Sequence, residues 1–123
     1  MSWKVLIVED DSRNMKLVRD VLRASGYDVV EATDGREGVD KARREHPDLI
    51  LMDIHLPLMD GREAARLLRS SDDTRAIPLV ALSASCMPEE VVEVVGTGWF
   101  DAFIAKPIDL RSFLAKVKEL LPS

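Results

Sequence analysis

Basic residues are in deficit in this sequence: 17 Lys and Arg stand against 22 Asp and Glu, leaving a formal net charge of −5. A nucleic-acid binder usually carries the opposite balance, and an anionic membrane surface is an equally poor partner for such a chain. No apolar run approaches the roughly 18 residues that span a bilayer. The opening MSWK lacks the apolar core of a signal peptide. A single cysteine, Cys86, leaves no internal disulfide, which together with the missing leader fits a cytoplasmic protein. Cys86 itself reads as a small loop or core residue, with a reactive thiol as the rarer alternative. Internal repeats, low-complexity tracts and linkers are also missing, so one domain over residues 1–123 is expected. The last helical pattern runs to the end of the sequence, so no output domain is expected to follow.

What the sequence does contain is a 46% apolar share and a regular alternation. Short apolar runs, WKVLIV (3–8), YDVVEA (27–32), LILM (49–52), LVALS (79–83) and DAFIA (101–105), alternate with amphipathic helical patterns. Met15, Val18 and Leu22 mark the first helix, which Gly26 ends. Asp34 with Glu37, and Asp60 with Glu63, resemble capping boxes. The second helix is expected to run to about Glu45, and the third to bury Ala64, Leu67 and Leu68. Pro88 suits the first turn of the fourth helix, with Glu89 and Glu90 favourable beside its dipole. That helix is rich in valine and so the least firmly held on propensity. Asp109 caps a last helix with an apolar stripe of Leu110, Phe113, Leu114, Val117 and Leu121. The fold class is α/β: a doubly wound (βα)5 unit with a five-stranded parallel sheet covered on both faces.

In such a sheet ligands bind at the carboxyl ends of the strands, and there this sequence places its chemistry. The first strand runs into Glu9-Asp10-Asp11, the third ends on Asp53, the fourth on Ser83, and Lys106-Pro107 follows the fifth. Each has a plain reading. Asp10 or Asp11 caps a helix, Asp53 or Ser83 starts a turn, and Lys106 is a solvated loop lysine. Taken together they converge on one sheet edge. Carboxylates packed that closely repel unless a cation sits between them. An all-oxygen donor set without thiolates favours a hard ion, Mg2+, with Mn2+ as the alternative. A carboxylate beside that ion, a lysine and a hydroxyl can attack phosphorus. Lys106, Ser83 and nearby N–H groups would then neutralise the phosphoryl oxygens.

The pieces VLIVEDD, PDLILMDIHLPLMDG, LVALSA and AFIAKPID resemble the receiver domain of bacterial response regulators over roughly residues 3–121. The resemblance implies a flavodoxin-like receiver fold in which Asp53 accepts a phosphoryl group from the phosphohistidine of a histidine kinase or phosphotransfer protein. It implies that Asp10, Asp53 and the backbone carbonyl of His55 bind Mg2+ directly, with Glu9 acting through water. Lys106 would pair with the phosphoryl group, Ser83 would be the switch hydroxyl, and Phe103 the aromatic coupled to it. Ala84, being small, would leave the site open to a partner's histidine. Ser85 and the His55 side chain stand where residues tuning the phosphoryl lifetime are expected, and the Lys106–Pro107 bond would be cis. Phosphorylation would shift a population toward an active-like form, reshaping the face of helix 4, strand 5 and helix 5 for a downstream protein. The chain would assist its own Mg2+-dependent phosphorylation and dephosphorylation rather than act as an enzyme on another substrate.

The sequence departs from the family pattern in Glu9, where aspartate is commoner, and in Trp99, where a small residue is usual. Trp99 either meets a partner or covers the sheet edge. Two rivals remain. A haloacid-dehalogenase-type phosphatase would need a second acid two residues after Asp53, where His55 stands. A phosphorylation-independent pseudo-receiver would have lost an acid, the hydroxyl or the lysine, and all are present.

Overall fold

The computed structural model describes residues 3–84 and 88–121; Ser85 and Cys86, both considered above, lie outside the described residues. The chain alternates β1 (Lys4–Val8), α1 (Ser12–Ala24), β2 (Asp28–Ala32), α2 (Gly35–Glu45), β3 (Leu49–Asp53), α3 (Gly61–Arg69), β4 (Leu79–Ser83), α4 (Pro88–Gly96), β5 (Ala102–Ala105) and α5 (Leu110–Leu120). The strands form one parallel sheet in the order β2-β1-β3-β4-β5. This is the flavodoxin-like order, whose ligand crevice opens where the winding reverses, at the ends of β1 and β3.

Both faces of the central strands are covered, which explains their unbroken apolar runs: every residue of β3 and β4 is buried. Alternate side chains supply two cores. Leu6, Val8, Ile50, Met52 and Ala81 face Val39, Ala42, Ala64, Leu68 and Val94 of α2, α3 and α4. Val5, Ile7, Leu49, Leu51, Val80 and Leu82 face Met15, Val18 and Leu22 of α1, and Phe113 and Val117 of α5. Fully burying an aliphatic or aromatic side chain of this kind stabilises by about 1.5–3 kcal/mol, so the strands form a stiff mount for whatever stands at their ends.

Several local expectations hold. Gly26 takes φ +92 just past α1, and the N–H of Tyr27 reaches the Leu22 carbonyl at 3.0 Å, a Schellman-type stop that favours glycine. Asp34 accepts from the Glu37 N–H at 2.8 Å, the forward half of a capping box, while the Glu37 carboxylate reaches one residue past the cap to accept from the Thr33 N–H at 2.7 Å. Asp60 and Asp109 cap α3 and α5. Others shift. Glu63 does not complete a box with Asp60 but pairs with Arg66 at 2.6 Å. Leu110 falls at the start of α5 and is exposed, so the buried stripe is Phe113, Val117 and Leu121. In α4 the described side chains bury only Val94, while Val92 and Val95 are 70% and 55% exposed. No helix among the described residues is long and apolar enough to cross a membrane.

Candidate functional site

Four strand ends deliver the site. Glu9 follows β1 and is 1% exposed, Asp53 closes β3 at 4%, and Ser83 closes β4 at 0%. Lys106 follows β5 through a backbone bond from its N–H to the Ser83 carbonyl at 2.8 Å. Its ammonium lies 2.9 and 2.8 Å from the two Glu9 oxygens and 2.8 Å from Asp53 Oδ2. Residues 53 and 97 positions apart thus meet at one nitrogen. The Lys106–Pro107 bond is cis.

The choice between Asp10 and Asp11 as helix cap resolves clearly. Asp11 accepts from the N–H groups of Arg13 and Asn14 at 2.8 and 3.1 Å, and those bonds hold its carboxyl below its ordinary value. Asp10 is left for the site. Glu9, Asp10 and Asp53 each place an oxygen within 4.8 Å of the others, with Asp10 on the open side. The other Asp53 oxygen, Oδ1, accepts the His55 N–H at 3.0 Å. An all-oxygen triad with one exposed member fits a hard cation that keeps some of its waters. Burial holds the Glu9 carboxyl above its ordinary value. The hydrogen bond from Lys106 opposes this, and the charge of Asp53 adds to it. Burial by itself would depress Lys106, but its hydrogen bonds to Asp53 and Glu9 carry it above its ordinary value.

Ser83 and Phe103 share a sheet face: Ala81 pairs with Phe103, and Ser83, two residues on, pairs with Ala105. Phe103 is half-buried against the core beneath α4, and Ala84 is exposed at the rim. Trp99 packs half-buried against the same core while its carbonyl accepts from Arg69 at 2.8 Å, so it covers the sheet. Three contributors were not foreseen. Asn14 gives its side-chain amide to Glu9 at 3.3 Å. Gly61 brings α3 so close that a Cβ there would strike the Asp53 carbonyl and the Ile54 Cα. Glu90, expected only as a favourable first-turn charge, lies 2.8 Å from His55 Nε2. A glycine right after a cap is the one signal among these visible in the sequence; the other two depend on contacts between separate elements.

A doubly wound sheet with acids, hydroxyl and lysine gathered at its switch point defines a phospho-receiver, a signalling module of two-component systems. The family described as response regulator receiver domain matches residues 5–118, and the chain belongs to it. It is 42% identical to the polar-differentiation response regulator DivK of Brucella ovis, over 98% of both chains. Among solved structures it is similar to the receiver domain of a sensor histidine kinase from Pseudomonas aeruginosa, with a magnesium ion coordinated in that protein's active-site cleft. The two are 30% identical, with a TM-score of 0.91 over 100% of both chains. It is likewise similar to the chemotaxis response regulator CheY4 of Vibrio cholerae, with a TM-score of 0.90 and 27% identity over 98% of this chain and 99% of that one.

Proposed function

We propose that Asp53 is the phosphoacceptor. An Asp53 oxygen attacks the phosphorus of a phosphohistidine on a histidine kinase or phosphotransfer protein. A P–O bond forms, the P–N bond breaks, and the imidazole leaves with the electron pair. The observation that carries this reading is the convergence of Glu9, Asp53 and Lys106 at a buried strand end, with Asp10 completing the acidic triad. Such a cluster is costly to desolvate and has a use in phosphoryl transfer, which depends on positioning and charge neutralisation. Lys106 is placed to hold one phosphoryl oxygen, and Ser83, at the end of the neighbouring strand, is the candidate for another. Asp10, Asp53 and the His55 carbonyl would hold Mg2+, or Mn2+, with Glu9 acting through water. That ion would supply charge neutralisation at the phosphoryl oxygens.

The product carries about −1.5 to −2 charge. Drawing the Ser83 hydroxyl toward it frees space on the face Ser83 shares with Phe103, and the surface of α4, β5 and α5 changes for a downstream protein. The state also passes on if the phosphoryl group moves to a second histidine protein. The chain assists these transfers on itself, in the cytoplasm where such donors work. All five chemical residues are retained, and Glu9, Asp10, Asp53 and Lys106 lie together with Ser83 on the neighbouring strand end, which favours this reading over a pseudo-receiver. Intact mass after incubation with a small phosphodonor and Mg2+ tests it: wild type gains one phosphoryl unit and Asp53→Asn gains none. A gain in both proteins would reject Asp53.

A further inference from the structure

Two acid–base pairs join α4 to the loop that follows the phosphoacceptor and to the start of α3. His55 Nε2 lies 2.8 Å from Glu90 Oε1, and Arg62 Nη1 donates to Glu93 Oε1 at 2.7 Å. The same Glu90 oxygen is reached by the Ser83 hydroxyl at 3.5 Å. His55 also gives its backbone N–H to Asp53 Oδ1 at 3.0 Å. One carboxylate in the first turn of α4 therefore touches both the loop behind Asp53 and the candidate switch hydroxyl. The apolar seat of this helix is small, since Val94 is its one buried hydrophobic among the described residues. Polar ties thus form a large share of what fixes its position. The imidazolium and the Nε2–H tautomer of the neutral imidazole both donate from Nε2 to a carboxylate.

We infer that Glu90 is a positioning residue for the phosphoryl switch: through His55 it latches the β3–α3 loop to α4 beside Ser83 in the unphosphorylated protein, and the active-like form requires its release. The inference rests on the reading of Asp53 as phosphoacceptor. A helix tied to the β3–α3 loop resists the displacement that would carry the signal. Each molecule in the latched state lowers the fraction competent to react, and the apparent phosphorylation rate falls by that fraction. The Glu90 side chain is 18% exposed and His55 50%, so solvent screens the pair and its effect is a few-fold.

The test is a set of phosphorylation time courses with phosphoramidate and Mg2+, followed by intact mass. Glu90→Ala accelerates phosphorylation by about fivefold, the factor that an ordinary hydrogen bond, or a charged one screened by solvent, represents. Glu90→Gln keeps an acceptor oxygen and stays within about twofold of wild type. His55→Ala, which leaves the backbone N–H in place, accelerates the reaction like Glu90→Ala, and the double variant is no faster than either alone. Equal acceleration in Glu90→Gln and Glu90→Ala would overturn the latch, because it would assign the effect to first-turn charge on the helix. An unchanged rate in both Glu90→Ala and His55→Ala, with wild type phosphorylated normally, would overturn the latch alone. A wild type that takes up no phosphoryl group would overturn the functional reading and the latch with it. His55→Ala alters a half-exposed side chain outside the core, so it remains informative if Glu90→Ala fails to fold.

Discussion

Replacing Lys106 by methionine keeps the apolar stem and removes one charge from between Glu9 and Asp53, both buried and both within 2.9 Å of the ammonium. Removing one partner of a buried ion pair costs about 3–5 kcal/mol, because the charge left behind is unpaired. Here two carboxylates would remain in contact, and protonating one of them relieves the repulsion. Glu9 takes the proton, since burial already holds its carboxyl above the ordinary 4.5 and Lys106 is the influence pulling it down. A carboxyl with a raised folded value stabilises the native state fully below its unfolded value, and loses that contribution as pH rises through the folded value. Wild type shows the trend weakly, because Lys106 opposes it; the variant shows it strongly. The variant's deficit is therefore about 3 kcal/mol near pH 8, and falls to less than about half of that near pH 5. Urea unfolding of both proteins at the two pH values measures the difference, with the slope checked for constancy. Added Mg2+ reduces the deficit at pH 8 by restoring positive charge between the acids, through preferential binding to the folded state. A deficit equal at the two pH values would refute this reasoning.

Gly61→Ala places a methyl group against the Asp53 carbonyl and the Ile54 Cα. It is expected to cost about 1–3 kcal/mol in urea unfolding and to weaken Mg2+ binding by displacing the end of β3. Asp34→Ala removes the acceptor for the Glu37 N–H and costs about 1 kcal/mol. It leaves phosphorylation by a small donor unchanged, a control that separates stability from chemistry. Phe103→Ala lowers the affinity of the phosphorylated form for its downstream partner in titration calorimetry; an unchanged affinity removes Phe103 from the switch.

The architecture was open to reading because its physics is local. Period-two burial on both sheet faces demands continuous apolar strands, and β3 and β4 are buried at every position. Gly26 and the caps Asp34, Asp60 and Asp109 act within a few residues of themselves, so their signals sit beside their effects. The strand-end acids and Lys106 were legible for a topological reason: parallel strands bring all their carboxyl ends to one edge. Where spacing alone left two options, as with Asp10 and Asp11, backbone hydrogen bonds decided. Leu110 looked like part of the α5 stripe because periodicity cannot show that a residue at the start of the helix stays exposed. Glu90 was beyond reach: its pairing with His55 depends on how α4 sits, and a first-turn glutamate is already explained by the helix dipole.

The central claim concerns one carboxylate, and chemical trapping reads it directly. Borohydride reduces an aspartyl phosphate to homoserine, and peptide sequencing by mass spectrometry then locates the modified position. After treatment with phosphoramidate and Mg2+, the account predicts homoserine at position 53 and at no other aspartate. Modification at Asp10 or Asp11 with Asp53 untouched, or phosphate found on His55, would contradict it.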